Sequence, residues 1–157
     1  MKEALLQIFM GAIGSMGFAI LFNIRGKRFI TATLGAVLSW GSYLLFSRFI
    51  GDNTVCYFLA SVLTSFYAEI MARVLKTPTT TFIITSLIPL VPGSSLYYTM
   101  AYAFESAQGK FVARAAETLK LSSALALGVI VATTFTKVLM THLAKKAQQK
   151  KEKAVIS

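Results

Sequence analysis

The chain has 157 residues and is 55% hydrophobic, yet it carries a formal net charge of +10 with only 14% of its residues charged. A water-soluble domain carries about 25% charged residues, and a mean hydropathy of +0.65 points away from one. Ten glycines, three prolines, six acidic residues and one cysteine exclude a collagen, an acidic disordered tail and a disulfide scaffold. The positive charge would mark a nucleic-acid surface only if it gathered on one soluble face. It lies instead between long apolar runs, the arrangement of an integral membrane protein.

A helix needs about 20 apolar residues to cross a hydrocarbon core about 30 Å thick. The first such run is Ala4 to Phe22, ended by Asn23-Ile24-Arg25-Gly26-Lys27-Arg28. It lacks an Ala-x-Ala-like cleavage site, and its stronger positive cluster follows the apolar stretch, so it reads as a retained span and not a signal peptide. The second run is Phe29 to Ile50, ended by Gly51-Asp52-Asn53, and the third is Thr54 to Leu75, ended by Lys76-Thr77-Pro78. The fourth is Thr80 to Phe104 and the fifth Leu121 to Met140. The fold class this predicts is an all-α bundle of five transmembrane helices. Between the last two runs, Phe111, Ala115, Ala116 and Leu119 share a helical face. That fits either a short interfacial helix over 107–120 or an extension of the fifth span. A single membrane domain over 1–143 is thus followed by a basic tail over 144–157, too charged and too short to bury a core and expected to fray.

Lysine and arginine set the orientation of such a bundle. The side holding the first and third connections and the tail carries ten: Arg25, Lys27, Arg28, Arg73, Lys76, Lys145, Lys146, Lys150, Lys151 and Lys153. The other side carries five: Lys2, Arg48, Lys110, Arg114 and Lys120. Lys137, near the tail end of the fifth span, snorkels toward the ten. The bias predicts an N-terminus outside and a C-terminus in the cytoplasm.

The fourth span contains Thr85-Ser86-Leu87-Ile88-Pro89-Leu90-Val91-Pro92-Gly93-Ser94-Ser95. Each proline removes a helical donor and clashes with the carbonyl four residues back, which frees the carbonyls of Thr85 and Ile88. A helix restarting at Gly93 would present its first N–H groups, from Gly93 to Leu96, and the positive end of its dipole to the break. Broken helices hold substrate carboxylates this way at the bilayer midplane. The predicted binding residues are therefore Pro92, Gly93, Ser94 and Ser95, with Thr85, Ser86 and Tyr98 lining the same cavity. The competing reading is a simple proline kink. Tyr98 lies one turn beyond the break; Tyr102 is explained as well by an interfacial aromatic belt.

Glu69 is the one acidic residue deep in a predicted span, which makes it a candidate for proton coupling. Arg73 lies four residues on, so an i,i+4 ion pair is the structural alternative. Ser61, Ser65 and Ala72 fall near the same face. Small residues at Gly11 and Ser15, Gly14 and Gly17, and Gly35 and Ser39 read as helix-packing positions. His142 sits beside the basic tail and reads as interfacial. No metal-ligand spacing, nucleophile-base set or phosphate-cradling loop is present in the sequence, so neither an enzyme nor a cofactor is expected.

Phe18-Ala19-Ile20-Leu21-Phe22-Asn23 after a Gly-rich first span, Lys76-Thr77-Pro78 before the fourth, and Ile88-Pro89-Leu90-Val91-Pro92-Gly93-Ser94-Ser95-Leu96-Tyr97 together resemble the threonine/serine exporter (ThrE) family. Within it the chain is similar to the YjjB-type small, membrane-only subunit. The resemblance implies an exporter of small metabolites, either amino acids such as threonine and serine or dicarboxylates such as succinate, in a bacterial plasma membrane. Long members fuse two membrane modules, so it also implies a larger YjjP-type partner subunit and an inverted repeat with the site between modules. A second module that starts outside is also what the Lys/Arg count predicts. The alternatives from other classes are a membrane scaffold that does not transport and a small homo-oligomeric channel.

Overall fold

A computed structural model gives the fold. It describes residues 2–105 and 108–156, with side chains described to residue 142. The elements are α1 (Lys2–Leu21), α2 (Lys27–Phe49), α3 (Asn53–Val74), α4 (Thr79–Leu87) running into a 3-10 turn (Ile88–Leu90), α5 (Gly93–Phe104) and α6 (Gln108–Ile156). Among the described residues four helices are long and apolar enough to cross a membrane, and a fifth span follows if the bent pair Thr79–Leu90 and Gly93–Phe104 counts as one. The protein is an all-α membrane bundle.

Local chemistry sets the helix ends. Asn23 (φ 55°) closes α1 in the left-handed region: its N–H bonds Ile20 and the N–H of Ile24 reaches back to Ala19. Lys76 (φ 48°) repeats the pattern after α3, with bonds from Lys76 to Arg73 and from Thr77 to Ala72. Both are Schellman ends, which satisfy the last orphan carbonyls. Asp52 caps the other end of α3, its carboxylate accepting the Thr54 N–H at 2.7 Å.

The bundle is arranged around α3, half of whose most apolar stretch is buried, against 17% for α1. It packs against α2, α4 and α6. Its inward face carries Ala60, Ser61, Thr64, Ser65, Ala68, Glu69 and Ala72, all buried. In lipid, helices gain little by burying leucine, so small faces that allow close backbone approach form the seams. At Gly35 of α2 an added Cβ would overlap Ser86 of α4, and at Gly128 of α6 it would overlap Ser61 and the Phe58 carbonyl of α3. A Cβ added at Gly14 or Gly17 would meet nothing within 4 Å among the described residues. Large apolar side chains such as Leu5, Phe49, Ile70 and Phe104 point outward, as a lipid-facing surface requires.

The last span takes the second of the two forms open to it. Residues 108–120 are not a separate interfacial helix but the beginning of α6, which runs unbroken from Gln108 to Ile156. The stretch has no proline and one glycine, and Ala, Lys, Arg, Glu and Leu are strong helix formers, so nothing in it stops the helix. The backbone is helical past Met140 for the same reason, where a frayed tail is predicted. The lysines of that tail lie outside the described side chains. α5 packs principally on the first part of α6. Thr99 and Thr118 join the two through their hydroxyls at 3.2 Å.

Candidate functional site

The fourth span is broken where its prolines lie, and its two halves meet at 61°. Pro89 cannot donate to Thr85, and that carbonyl is met from α1 instead: Ser15 donates its hydroxyl to Thr85 O at 2.8 Å, fully buried. Pro92 cannot donate to Ile88, whose carbonyl accepts the Val91 N–H at 3.1 Å within the 3-10 turn. Both freed carbonyls are therefore satisfied inside the protein, as an interrupted helix in lipid demands. Pro92 itself (φ −75°, ψ 61°) sits at the centre of an inverse γ-turn, closed by the Gly93 N–H on Val91 O at 2.7 Å.

The new helix begins uncapped by any side chain. Its ladder starts with the Leu96 N–H on Pro92 O at 3.0 Å. Of the four N–H groups predicted to face the break, those of Gly93 and Leu96 are thus used within the turn. Those of Ser94 and Ser95 have no intrahelical acceptor. Gly93 and Ser94 are exposed, Ser95 and Pro92 are buried, and Tyr98 is about half exposed. A Cβ at Gly93 would meet nothing within 4 Å, so neither packing nor backbone conformation within this chain requires glycine there.

Tyr98 and Tyr102 stack, with ring centroids 6.3 Å apart, and Arg114 lies 5.9 Å from the centre of the Tyr98 ring. Arg114 also pairs with Glu117 at 2.7 Å. One edge of α5 therefore carries an aromatic surface under a cation.

Thr85 and Ser86 occupy a different place. Both are fully buried in the bundle. The Thr85 hydroxyl is bonded within its own helix, to Thr81 O and Phe82 O. Ser86 points at Gly35, and its hydroxyl has no partner among the described residues; the same holds for Ser39 and Ser65. The seven predicted residues thus fall into an enclosed pair, a buried Pro92 and Ser95 at the break, and an open set of Gly93, Ser94 and Tyr98. Glu69 is 4% exposed and pairs with Arg73 at 3.0 Å, one helical turn from the unpartnered Ser65. The residues that sequence reasoning did not assign to the break are Ser15 and Arg114. Ser15 was visible only as a small residue, because the carbonyl it serves is 70 positions away.

A family model described as "Threonine/Serine exporter, ThrE" matches residues 7–135, from within α1 to within the apolar part of α6. No solved structure matches the chain.

Proposed function

The chain belongs to the threonine/serine exporter family, ThrE, and from that membership we propose that it is the YjjB-type membrane subunit of a secondary exporter, working with a larger YjjP-type partner. The cargo is a small metabolite bearing a carboxylate, of the threonine and serine type or the succinate type. The observation that carries this reading is the uncapped start of α5 at the break, with the Ser94 and Ser95 N–H groups uncommitted and Gly93 and Ser94 open to the outside of the bundle. A carboxylate is the ligand that a helix N-terminus and two serine hydroxyls favour together. The open side of Gly93 is where a second module would close the site, which explains a glycine that nothing in this chain demands.

The Lys/Arg distribution supports a bacterial plasma-membrane protein with its N-terminus outside and its C-terminus cytoplasmic. In that frame Glu69 lies toward the cytoplasmic end of α3, and the unpartnered hydroxyls of Ser65, Ser86 and Ser39 mark the interior between it and the break. Proton exchange at Glu69 coupled to occupancy of the break is the mechanism this arrangement suits. Thr85 and Ser86 join the site only if α4 shifts against α2, an opening that alternating access would supply.

The test is uptake of threonine, serine and succinate into inverted vesicles holding this chain and its partner. Replacing Gly93, Ser94 and Ser95 together by leucine fills the open side and removes both hydroxyls. Transport is expected to fall at least about tenfold, the effect of losing one charge-assisted hydrogen bond or more. Export retained at the parent rate overturns the binding site.

A further inference from the structure

Two cavities meet at the Asp52 end of the bundle, away from the break. One is a cleft of about 540 Å³ between the α2–α3 connection and α6, with Asp52, Asn53, Glu117 and Lys120 on its walls. The other is a groove of about 270 Å³ that runs between α3 and α6 past Val55, Phe58, Ala124 and Leu127. Thr54 and Lys120 line both, so the polar cleft continues into the apolar groove.

Depth sorts the two. The cleft lies where the chain turns between spans at Gly51-Asp52-Asn53, the level of a membrane interface. The groove descends from it, and Leu127 lies about 10 Å below Lys120 at 1.5 Å per residue. Charge sorts the cleft. Among the described residues there are two ion pairs, and Lys120 belongs to neither. Its ammonium stands in the same cleft as the carboxylates of Asp52 and Glu117, a cation and two anions within one interfacial pocket.

We propose that this composite cavity binds one phospholipid whose headgroup carries a phosphate and a primary amine, with an acyl chain in the α3–α6 groove. Lys120 meets the phosphate. Asp52 and Glu117 accept from the ammonium, each with one carboxylate oxygen beyond the one already engaged by the Thr54 N–H or by Arg114. An anionic headgroup without an amine would leave both carboxylates facing negative charge. A quaternary amine would keep the charge but offer no N–H. The site is independent of the export reading, and neither needs the other.

The experiment is native mass spectrometry of the full chain, titrated with phosphatidylethanolamine, phosphatidylglycerol and phosphatidylcholine of equal acyl length. Phosphatidylethanolamine is expected to bind about tenfold tighter than either, the difference one charge-assisted bond supplies. Lys120 and Ser123 are both exposed, so changing them leaves the core intact. Lys120→Gln should weaken all three lipids, since each carries the phosphate, and Lys120→Arg should keep their binding; Glu117→Gln should narrow the preference for the primary amine. Ser123→Trp should block the groove and weaken all three lipids. Equal or tighter binding of phosphatidylglycerol overturns the headgroup assignment. Unchanged binding by Ser123→Trp overturns the acyl groove. Displacement of the lipid by soluble O-phosphoethanolamine at comparable concentration overturns a lipid as the occupant.

Discussion

The Thr85 carbonyl shows how a single atom links two distant parts of this sequence. Pro89 deprives it of a partner, and Ser15, on another helix, supplies one at 2.8 Å. Ser15→Ala should therefore cost about 1 kcal/mol, toward the upper range for hydrogen bonds inside membrane proteins, read as a lower unfolding midpoint in detergent. Pro89→Ala restores a backbone N–H for the same carbonyl, so the double variant should recover most of that loss. Purely additive losses would show that the two residues do not share the carbonyl. Glycines offer a second contrast at this scale. Gly35→Val drives a side chain into Ser86 and should destabilise by about 1–3 kcal/mol as an overpacked seam. Gly14→Ala, in open space, should leave the midpoint unchanged or raise it. The spacing of Gly35 and Ser39 announces close packing in the sequence. Gly128 does not announce itself, because the atoms it makes room for, on Ser61 and Phe58, belong to a helix that only folding brings alongside.

At the scale of elements, most boundaries follow from short-range chemistry. Asn23 and Lys76 end α1 and α3, and Asp52 begins α3. The carboxyl of Asp52 is held below its ordinary value, first by the backbone N–H of Thr54 that it accepts. A carboxylate with a depressed folded value contributes stability above its unfolded value, about 3.9, and loses it as pH falls through the lower folded value. Amide exchange at Val55 and Cys56, corrected for intrinsic rate, should accelerate below about pH 4 in the parent chain. It should stay flat with pH in Asp52→Asn, which caps without titrating. A matching acceleration in the variant would remove Asp52 as the cause. The break after Leu90 was equally legible, since proline chemistry is local. What local chemistry did not reveal is that α6 starts at Gln108, because an amphipathic stretch has the same pattern whether it lies on an interface or extends a span.

The whole molecule poses the question of coupling. Glu69 is buried and paired with Arg73, an arrangement compatible with a purely structural role. Its position one turn from Ser65, whose hydroxyl has no partner among the described residues, on the helix that α2, α4 and α6 pack against, is what favours proton exchange. In vesicles with the partner subunit present, Glu69→Gln should release export from its dependence on an imposed pH gradient. Coupling unchanged in that variant would leave Glu69 as the partner of Arg73 alone. α5 should matter most when the second subunit is present, because among the described residues it packs principally on α6.

By itself the sequence determined the membrane class, the first three spans, the position of the break, the Glu69–Arg73 pair and the family. Each of these rests on signals within a few residues of one another: apolar run length, proline, an i,i+4 spacing, a contiguous motif. The tertiary structure decided which groups find partners. It delivered Ser15 to the Thr85 carbonyl, left Ser39, Ser65 and Ser86 without acceptors among the described residues, enclosed Thr85 and Ser86 while leaving Gly93 and Ser94 open, and joined a charged cleft to an apolar groove at Lys120. The physical reason is that helix formation is governed by neighbours in sequence. Satisfaction of polar groups in a low-dielectric interior is governed by neighbours in space.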